Sequence, residues 1–397
     1  MKKNISKRNI PLYYLIESLD SLVFFIPVIY IYLQGKISIA QIPFLFGYRY
    51  LIQLLMEMPT GAIADLLGKK LSVIIGFFIN AVYFFLLFKV NFFWQFLIAY
   101  TLGGIGDSFI SGAIDALVYD SLKQDDEEKK YNSVLAKQNL YSQTALIIAT
   151  VSGGFLYSIN HLLPFVISFI CQIIAIFSSL FFVEPTIDTV KFTIINYSKQ
   201  IKLGFHELFK NKYITQISLF YNAVGGISWT VSMFFSSALL VDLGFPNIEL
   251  GIIGGGLKLL VVIVLTILVT NEKIFTKKIS FIFFPILMTI SMLPGIFFKG
   301  YFALPFAAGA MMVSTARFMI LNKYVNEEFE SKYRATAIST LSMFVGIIFV
   351  IITIGSGPII SNFGGIRTIY TLLGLLSLLI VTPLTYIILK THSGNSV

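Results

Sequence analysis

Two apolar runs, each long enough to cross a bilayer, are joined by the stretch Met58-Pro59-Thr60-Gly61-Ala62-Ile63-Ala64-Asp65-Leu66-Leu67-Gly68-Lys69-Lys70. Gly61 allows a neighbouring helix to approach closely, and Gly68 allows a turn with positive φ. Asp65 can cap a helix start or pair with a base, and the two final lysines suit a headgroup surface. We therefore predict a helix break at Pro59-Thr60-Gly61 and a tight turn before the next helix.

The composition is that of a polytopic membrane protein. The 397 residues are 56% hydrophobic and 12% charged, and the mean hydropathy is +0.84, which a soluble domain of this size would not tolerate on its surface. A membrane helix needs about 20 apolar residues. Twelve such runs are predicted, at 11–33, 40–62, 71–88, 92–118, 132–158, 162–183, 213–241, 248–270, 279–298, 301–321, 334–360 and 366–389. They leave no room for a soluble catalytic domain.

The basic residues predict the orientation of these spans. The net charge is +9, and most of the 29 lysines and arginines lie in the termini, in the central loop and in loops that follow even-numbered spans. The positive-inside rule then places both termini in the cytoplasm. Because the positive charge follows the loops, it indicates orientation and contact with membrane lipids, and we expect no nucleic-acid partner.

The sequence gives no sign of a catalytic centre or a metal site. Cys171 is the single cysteine, so no intramolecular disulfide can form, and three histidines with one cysteine do not make a metal site. No nucleophile and base stand out as a pair, and no nucleotide-binding loop is present. We predict no cofactor, no metal and no enzymatic activity.

Charged residues inside spans of the first half are the candidates for proton coupling or substrate contact. Buried charges in a span are costly and usually face a bundle interior or a watery cavity. Glu17 and Asp20 share one helical face, and burial favours a protonated carboxyl group. As a proton carrier we rank Asp107 first for its depth and Glu17 next; structural ion pairs are the alternative. The full set is Glu17, Asp20, Arg49, Glu57, Asp107 and Asp115.

An internal repeat divides the chain into two halves. The segment 123–131, Lys-Gln-Asp-Asp-Glu-Glu-Lys-Lys-Tyr, matches the segment 325–333, Val-Asn-Glu-Glu-Phe-Glu-Ser-Lys-Tyr, about half the chain further on. Each segment leads into a span, which predicts parallel six-span repeats with a site near the bilayer midplane. The predicted six-helix bundles are 1–184 and 213–397. The linker 185–212 has apolar residues at helical spacing and is expected to form an amphipathic helix on the inner leaflet.

The signature stretch and the whole-chain organisation resemble one transporter family. Gly61-x-x-x-Asp65-x-x-Gly68-Lys69-Lys70 resembles the loop between the second and third spans of the major facilitator superfamily. With the twelve spans and the long central loop, the chain is similar to a bacterial major facilitator transporter along its whole length. Two further segments look like a branch of largely drug-exporter-like members, namely Glu57-x-Pro59-Thr60-Gly61-x-x-Ala64-Asp65 and Tyr333-Arg334-Ala335-Thr336-Ala337.

The resemblance implies a fold and a conformational gate. The fold is an all-α membrane protein with twelve transmembrane helices in two six-helix halves, expected as a monomer in the bacterial cytoplasmic (inner) membrane. In the family, the signature acid stabilises the outward-facing state by contacting the start of the eleventh span. A signature base meets an acid at the cytoplasmic end of the fourth. The matching gate residues are Gly61, Asp65, Gly68, Lys69, Lys70, Asp120 and Arg334.

The predicted function is secondary active transport by alternating access. We expect proton-coupled efflux of a small amphiphilic, aromatic or lipophilic molecule, since the chain has 39 Phe and 20 Tyr. Two departures from the family's exporters are Gly103 to Gly106 in place of a fourth-span arginine and a fifth-span motif reduced to Ser152-Gly153-Gly154. The alternatives are proton-coupled uptake of a metabolite or short peptide, and a non-transporting sensor or enzyme on the same scaffold.

Overall fold

The computed structural model describes residues 4–186, 194–269, 275–330 and 334–393, and every regular element in these ranges is helical. Part of the predicted linker and Tyr333 of the second exporter-like segment lie outside the described residues. The helices are α1 (Ile5–Ser21), α2 (Ile29–Gln34), α3 (Gln41–Leu67), α4 (Lys69–Leu87), α5 (Phe93–Ser111), α6 (Ala113–Gln124), α7 (Tyr131–Ile159), α8 (Leu163–Ser179), α9 (Ile194–Leu208), α10 (Lys212–Thr230), α11 (Ser236–Asp242), α12 (Asn247–Val269), α13 (Lys277–Met292), α14 (Leu304–Ala316), α15 (Asn322–Glu327), α16 (Arg334–Asn362), α17 (Gly365–Leu376) and α18 (Thr382–Ser393).

The helices confirm an all-α membrane protein with twelve transmembrane helices in two six-helix halves. Nine helical segments among the described residues are long and apolar enough to cross a membrane, and α8 is a shorter apolar helix. The two remaining spans are α3, which carries three charged residues, and the first span, which is divided between α1 and α2. Helix ends agree with the predicted spans to within a few residues in most cases.

The first span is interrupted, which the sequence analysis did not predict. The chain leaves α1 after Ser21 and re-enters a helix at Ile29. Pro27 disfavours a helix here because it lacks an N–H group and restricts the residue before it. The freed N–H of Phe24 donates to Ser168 Oγ on α8 at 2.9 Å, and a Cβ at Gly153 of α7 would lie 2.0 Å from the Phe24 carbonyl oxygen. Close packing by α7 and α8 thus supports the break.

The predicted break at Pro59-Thr60-Gly61 is wrong, because α3 runs without interruption from Gln41 to Leu67. The Thr60 hydroxyl lies 2.8 Å from the Met56 carbonyl oxygen in the preceding turn and 3.0 Å from the Ser108 carbonyl oxygen of α5. Neighbouring helices and threonine hydroxyls commonly compensate for a proline within a membrane helix. The turn at Gly68 has the expected positive φ, at 96°.

Internal contacts divide the residues into two units. The first comprises Met1–Ile37, Tyr48–Tyr197 and Asn247–Gly255, and the second comprises Ser38–Gly47, Ser198–Pro246 and Gly256–Val397. The start of α3 groups with the second unit because Gly47 lies directly against Thr353 of α16. The start of α12 groups with the first because Gly251 lies directly against the backbone of Thr150 in α7. The predicted bundle limits of 1–184 and 213–397 stay a prediction.

Irregular helical turns are concentrated in the second unit. In the described part of the chain, π-helical turns join α10 to α11 at Val231–Phe235, α14 to α15 at Arg317–Leu321, and α17 to α18 at Ser377–Val381. Such turns widen a helix locally and often occur at functional sites.

The linker contains the helix α9, and part of it packs within the second unit. A Cβ at Gly204 would lie 2.0 Å from Thr340 Oγ1 of α16, and the rings of Phe205 and Phe344 are 5.2 Å apart. The inner-leaflet position predicted for this helix remains a prediction.

Candidate functional site

The first unit contains a cavity of about 240 Å³ whose wall includes four carboxyl groups. Asp107 and Asp115 belong to the consecutive helices α5 and α6, while Glu17 and Asp20 lie one turn apart on α1. The packing of α1 against α6 and of α5 near α3 brings these side chains to one place. The lining residues are Glu17, Asp20, Gln53, Asp107, Ile110, Ser111, Ile114 and Asp115.

Asp107 is the one carboxylate of the cavity that has a basic partner among the described residues. Arg49 Nη2 of α3 lies 2.8 Å from Asp107 Oδ2, and Asn80 Nδ2 of α4 donates to Asp107 Oδ1 at 3.1 Å. The guanidinium also stacks over the Tyr83 ring, 4.5 Å from its centroid. A Cβ at Gly103 would lie 3.0 Å from Arg49 Nε, so the glycine makes room for the arginine. The negative charge of Asp107 is therefore neutralised within the unit.

Glu17 and Asp20 have neutral partners. Gln138 Nε2 of α7 donates to Glu17 Oε2 at 3.0 Å, and Gln172 Nε2 of α8 donates to Asp20 Oδ1 at 2.8 Å. Neither carboxylate has a lysine or arginine within ion-pairing distance in the described ranges of the chain. An amide orients a carboxyl group without cancelling its charge, so either side chain can accept a proton.

Asp115 also has a neutral partner, the Tyr13 hydroxyl of α1, which donates to its Oδ1 at 2.7 Å. Several carboxyl groups in one cavity repel one another when ionised, and the repulsion favours protonation of some of them. The cavity can therefore hold protons or attract a positively charged group. The ranking of Asp107 before Glu17 as a proton carrier stays a prediction.

Of the two remaining predicted coupling residues, Arg49 contacts the cavity and Glu57 does not line it. Arg49 contacts the cavity through Asp107. Glu57 lies half-buried on α3 but is not among the residues that line the cavity. It interacts electrostatically with Tyr50, on the same helix.

The signature loop is held by two contacts within the first unit. Lys69 Nζ forms an ion pair with Asp120 of α6, and both side chains are largely buried. The carboxylate of Glu184 accepts the backbone N–H groups of Lys69 at 2.8 Å and Lys70 at 2.7 Å. These are the first N–H groups of α4, which have no partner within the helix. The cap of α4 thus comes from Glu184, which the sequence analysis missed because nothing near it in the chain marks the role.

Asp65 and Arg334 belong to different units, and their predicted contact stays a prediction. Asp65 is exposed in the last turn of α3, and Arg334 begins α16, where its Nη2 donates to the Phe329 carbonyl at 3.3 Å. Gly61 lies inside α3, two turns before Gly68.

The second unit repeats the lysine–acid pair of the signature loop. Lys277 at the start of α13 forms an ion pair with Glu328, which follows α15. Lys69 at the start of α4 pairs in the same way with Asp120 near the end of α6. Glu328 belongs to the acidic segment that repeats after the fourth and tenth spans, but the repeat aligns it with Asp126 and not with Asp120, so it did not indicate the second pair.

Comparison with known proteins gives one family. A model of the Major Facilitator Superfamily matches residues 12–321 of the chain. A protein of Bacillus subtilis (strain 168), called uncharacterized MFS-type transporter YxaM, is 26% identical over 355 residues, which cover 84% of this chain and 86% of that protein.

Solved transporter structures have the same fold. The nucleoside transporter NupG has a TM-score of 0.76 at 16% identity, covering 97% of this chain and 99% of its own. A bacterial homologue of the human lysosomal transporter Spinster has a TM-score of 0.73 at 16% identity, covering 98% of each chain. The POT family transporter PepTSo has a TM-score of 0.71 at 10% identity, covering 98% of this chain and 99% of its own. At these identities the likeness concerns the fold alone.

Proposed function

We propose that this chain, which belongs to the major facilitator superfamily, exports a small amphiphilic organic molecule in exchange for protons. It does so by alternating access across the bacterial cytoplasmic membrane, as a monomer with both termini in the cytoplasm. The observation that carries the proposal is the cavity of the first unit, where four carboxyl groups meet.

The proton-binding role rests on the partners of these carboxyl groups. Arg49 supplies one positive charge, and it is bound to Asp107. Within the described ranges, the side-chain hydrogen bonds of Glu17, Asp20 and Asp115 come from amide or hydroxyl groups. A proton carrier must take up and release its proton as the cavity opens to each side. An ion pair favours the ionised form and so opposes proton uptake. Glu17 and Asp20, which form no ion pair within the described ranges, therefore suit this role better than Asp107.

The substrate class rests on the mixed wall of the cavity. Ile110 and Ile114 provide apolar surface one turn apart, and Gln53 and Ser111 provide neutral hydrogen-bonding groups beside the acids. A wall of this kind suits a molecule with an apolar body and a polar group. The apolar wall is aliphatic, so the support for an amphiphilic substrate is stronger than the support for an aromatic one.

The proposed outward direction of transport rests on the exporter-like form of the signature segment. It is tested by whether protons and substrate cross the membrane in opposite directions or in the same direction. Purified protein in liposomes is given an imposed pH gradient and a panel of radiolabelled amphiphiles. Antiport concentrates the substrate when the lumen is more acidic than the outside, because protons leave as substrate enters. Accumulation only with the opposite gradient would assign proton-coupled uptake of a metabolite or short peptide.

Neutral variants locate the proton carrier. Glu17→Gln, Asp20→Asn and Asp107→Asn are each measured for gradient-driven accumulation and for substrate exchange without a gradient. We expect at least one variant, with Glu17→Gln first, to lose accumulation and retain exchange. Glu128→Gln is the matched control, because it removes an exposed loop carboxylate of the same unit. If all three variants accumulate substrate as the wild type does, none of these three carboxyl groups is the proton carrier.

A further inference from the structure

The second unit contains a buried arginine that no carboxylate neutralises in the described part of the chain. Arg317 begins the π-helical turn between α14 and α15, and 3% of the residue is exposed. Its Nε is buried without a hydrogen-bond acceptor. The contacts of the guanidinium are aromatic faces, with Cζ 5.1 Å from the ring centroid of Tyr221 and 4.3 Å from that of Phe318. Aromatic faces attract a cation but accept no strong hydrogen bond from it.

Arg49 in the first unit shows what a charge-paired site of this kind contains, although its Nε is likewise buried without an acceptor. Both arginines lie over a tyrosine ring, Tyr83 for Arg49 and Tyr221 for Arg317. The difference is Asp107, which lies 2.8 Å from Arg49 and has no counterpart at Arg317 among the described residues. Burying an unpaired charge is unfavourable, and a ligand anion at Arg317 would offset this cost.

The surroundings of Arg317 are shaped for its head group. A Cβ at Gly225 of α10 would lie 2.3 Å from Arg317 Nη1, so any larger residue would displace the guanidinium. The Tyr221 hydroxyl donates to Asn322 Oδ1 at 2.5 Å, which fixes the ring beneath the guanidinium. The π-helical turn is itself a feature that recurs at functional sites. The position is thus built to hold a cation, and it leaves the Nε donor of that cation without an acceptor.

We propose that Arg317 binds the carboxylate of an amphiphilic ligand within the second unit. A guanidinium presents paired N–H donors that match the two oxygens of a carboxylate. One guanidinium neutralises one negative charge, so a carboxylate suits the site better than a doubly charged phosphate. The rings of Tyr221 and Phe318 would lie beside the apolar body of the ligand. This inference goes beyond the proposed function, because its ligand site is made of other residues than the acidic cavity of the first unit.

Binding to the purified full chain in detergent tests the inference without any proton gradient. The probes are 4-phenylbutyrate, its amide, its amine analogue and phenyl phosphate, and the readout is the thermal unfolding midpoint as a function of probe concentration. We expect 4-phenylbutyrate to raise the midpoint and the amide and amine to leave it unchanged. Arg317→Gln should weaken the apparent affinity for the carboxylate at least about 30-fold, as the loss of a buried charge partner does.

Lys258→Gln is the matched control, because it removes another positive charge from a span of the same unit. It should retain the response to 4-phenylbutyrate. Three outcomes would overturn the proposal: no response of the wild type to the carboxylate, an equal response of Arg317→Gln, or a larger response to phenyl phosphate. Each is independent of transport, so a chain that binds the carboxylate but moves nothing contradicts the proposed function alone.

A second measurement separates ligand binding from a structural role and needs no probe. Without ligand, Arg317→Met removes an unpaired buried charge, so its unfolding midpoint should equal or exceed that of the wild type. Arg49→Met leaves Asp107 without its positively charged partner and should lower the unfolding midpoint. A midpoint of Arg317→Met as low as that of Arg49→Met would show that Arg317 holds the fold together, and the proposal would fail.

Discussion

The guanidinium of Arg49 and the carboxylate of Asp107 form an ion pair of 2.8 Å that links α3 to α5 at the wall of the acidic cavity. The side chains are 28% and 26% exposed, which places the pair between a surface contact and a fully buried one. Each residue neutralises the other, so the effect of removing one depends on whether the other is still charged.

Arg49→Gln is expected to destabilise the protein, and Asp107→Asn in the same chain is expected to restore part of the loss. A half-buried pair of this kind should be worth roughly 2 kcal/mol, between the values for exposed and buried pairs. A double-mutant cycle of thermal unfolding in detergent measures the coupling. Strictly additive effects of the two substitutions would contradict the assigned interaction.

Asp65→Asn is expected to shift the conformational population towards the cytoplasm-open state. The reason is the predicted contact of Asp65 with the start of α16, where Arg334 lies. If this contact stabilises the outward-facing state by about 1–3 kcal/mol, its loss changes the ratio of outward-facing to cytoplasm-open protein about 5- to 150-fold. The measurement is maleimide labelling of a single cysteine at Ser111 from the cytoplasmic side, in a Cys171→Ala background, with Glu128→Gln as the control. Labelling and transport that match the parent protein would exclude Asp65 from the gate.

Glu184→Ala is expected to destabilise the first turn of α4, so that it frays more often. Its carboxylate accepts two N–H groups at the positive end of the helix dipole, and the loss of a cap costs about 1 kcal/mol. Hydrogen exchange should accelerate at the amides of Lys69 and Lys70 while the middle of α4 stays protected. Unchanged exchange at these two amides would show that another group caps the helix.

Above neutral pH, the stability contributed by Lys210 is expected to fall only as the lysine itself loses its proton. Lys210 lies outside the spans, 3.0 Å from Glu207 and 3.5 Å from Glu330. Burial alone would lower its pKa, but the bond to Glu207 and the charges of both carboxylates outweigh this and raise the pKa above 10.5. A raised folded-state pKa means that the contribution is complete below the unfolded pKa and is lost as pH rises through the folded one.

Thermal unfolding of Lys210→Gln tests this pH dependence. Its midpoint should fall below that of the wild type by a constant amount between about pH 7 and pH 9, and the difference should shrink above about pH 10.5. Lys212→Gln removes an exposed lysine two residues away and serves as the control. A difference that persists undiminished to about pH 11 would mean that Lys210 acts through packing of its aliphatic stem.

The sequence by itself determined the helices and the family. A run of about 20 apolar residues must form a helix in a bilayer, because each backbone polar group needs a partner within its own segment. The spans, the turn at Gly68 and the repeated acidic segment could therefore be predicted from the chain, and the family resemblance indicated the Lys69–Asp120 pair. The positions of the helix breaks were predicted wrongly, because the helices packed around a proline determine whether the helix is interrupted. Near Pro27 the first span is interrupted, and Ser168 of α8 accepts the freed N–H of Phe24. Pro59, in contrast, is accommodated within the continuous helix α3.

Only the tertiary structure decided which charges meet. The sequence named Glu17, Asp20, Asp107 and Asp115 as separate candidates, and helix packing gathered them around one cavity. Helix packing also placed a carboxylate beside Arg49, whereas Arg317 lies against aromatic rings and pairs with no carboxylate of the described residues. Apolar burial is a property of each segment, so the sequence shows it directly. The partner of a charge is chosen by contacts between segments far apart in the chain, and these exist only once the helices have packed.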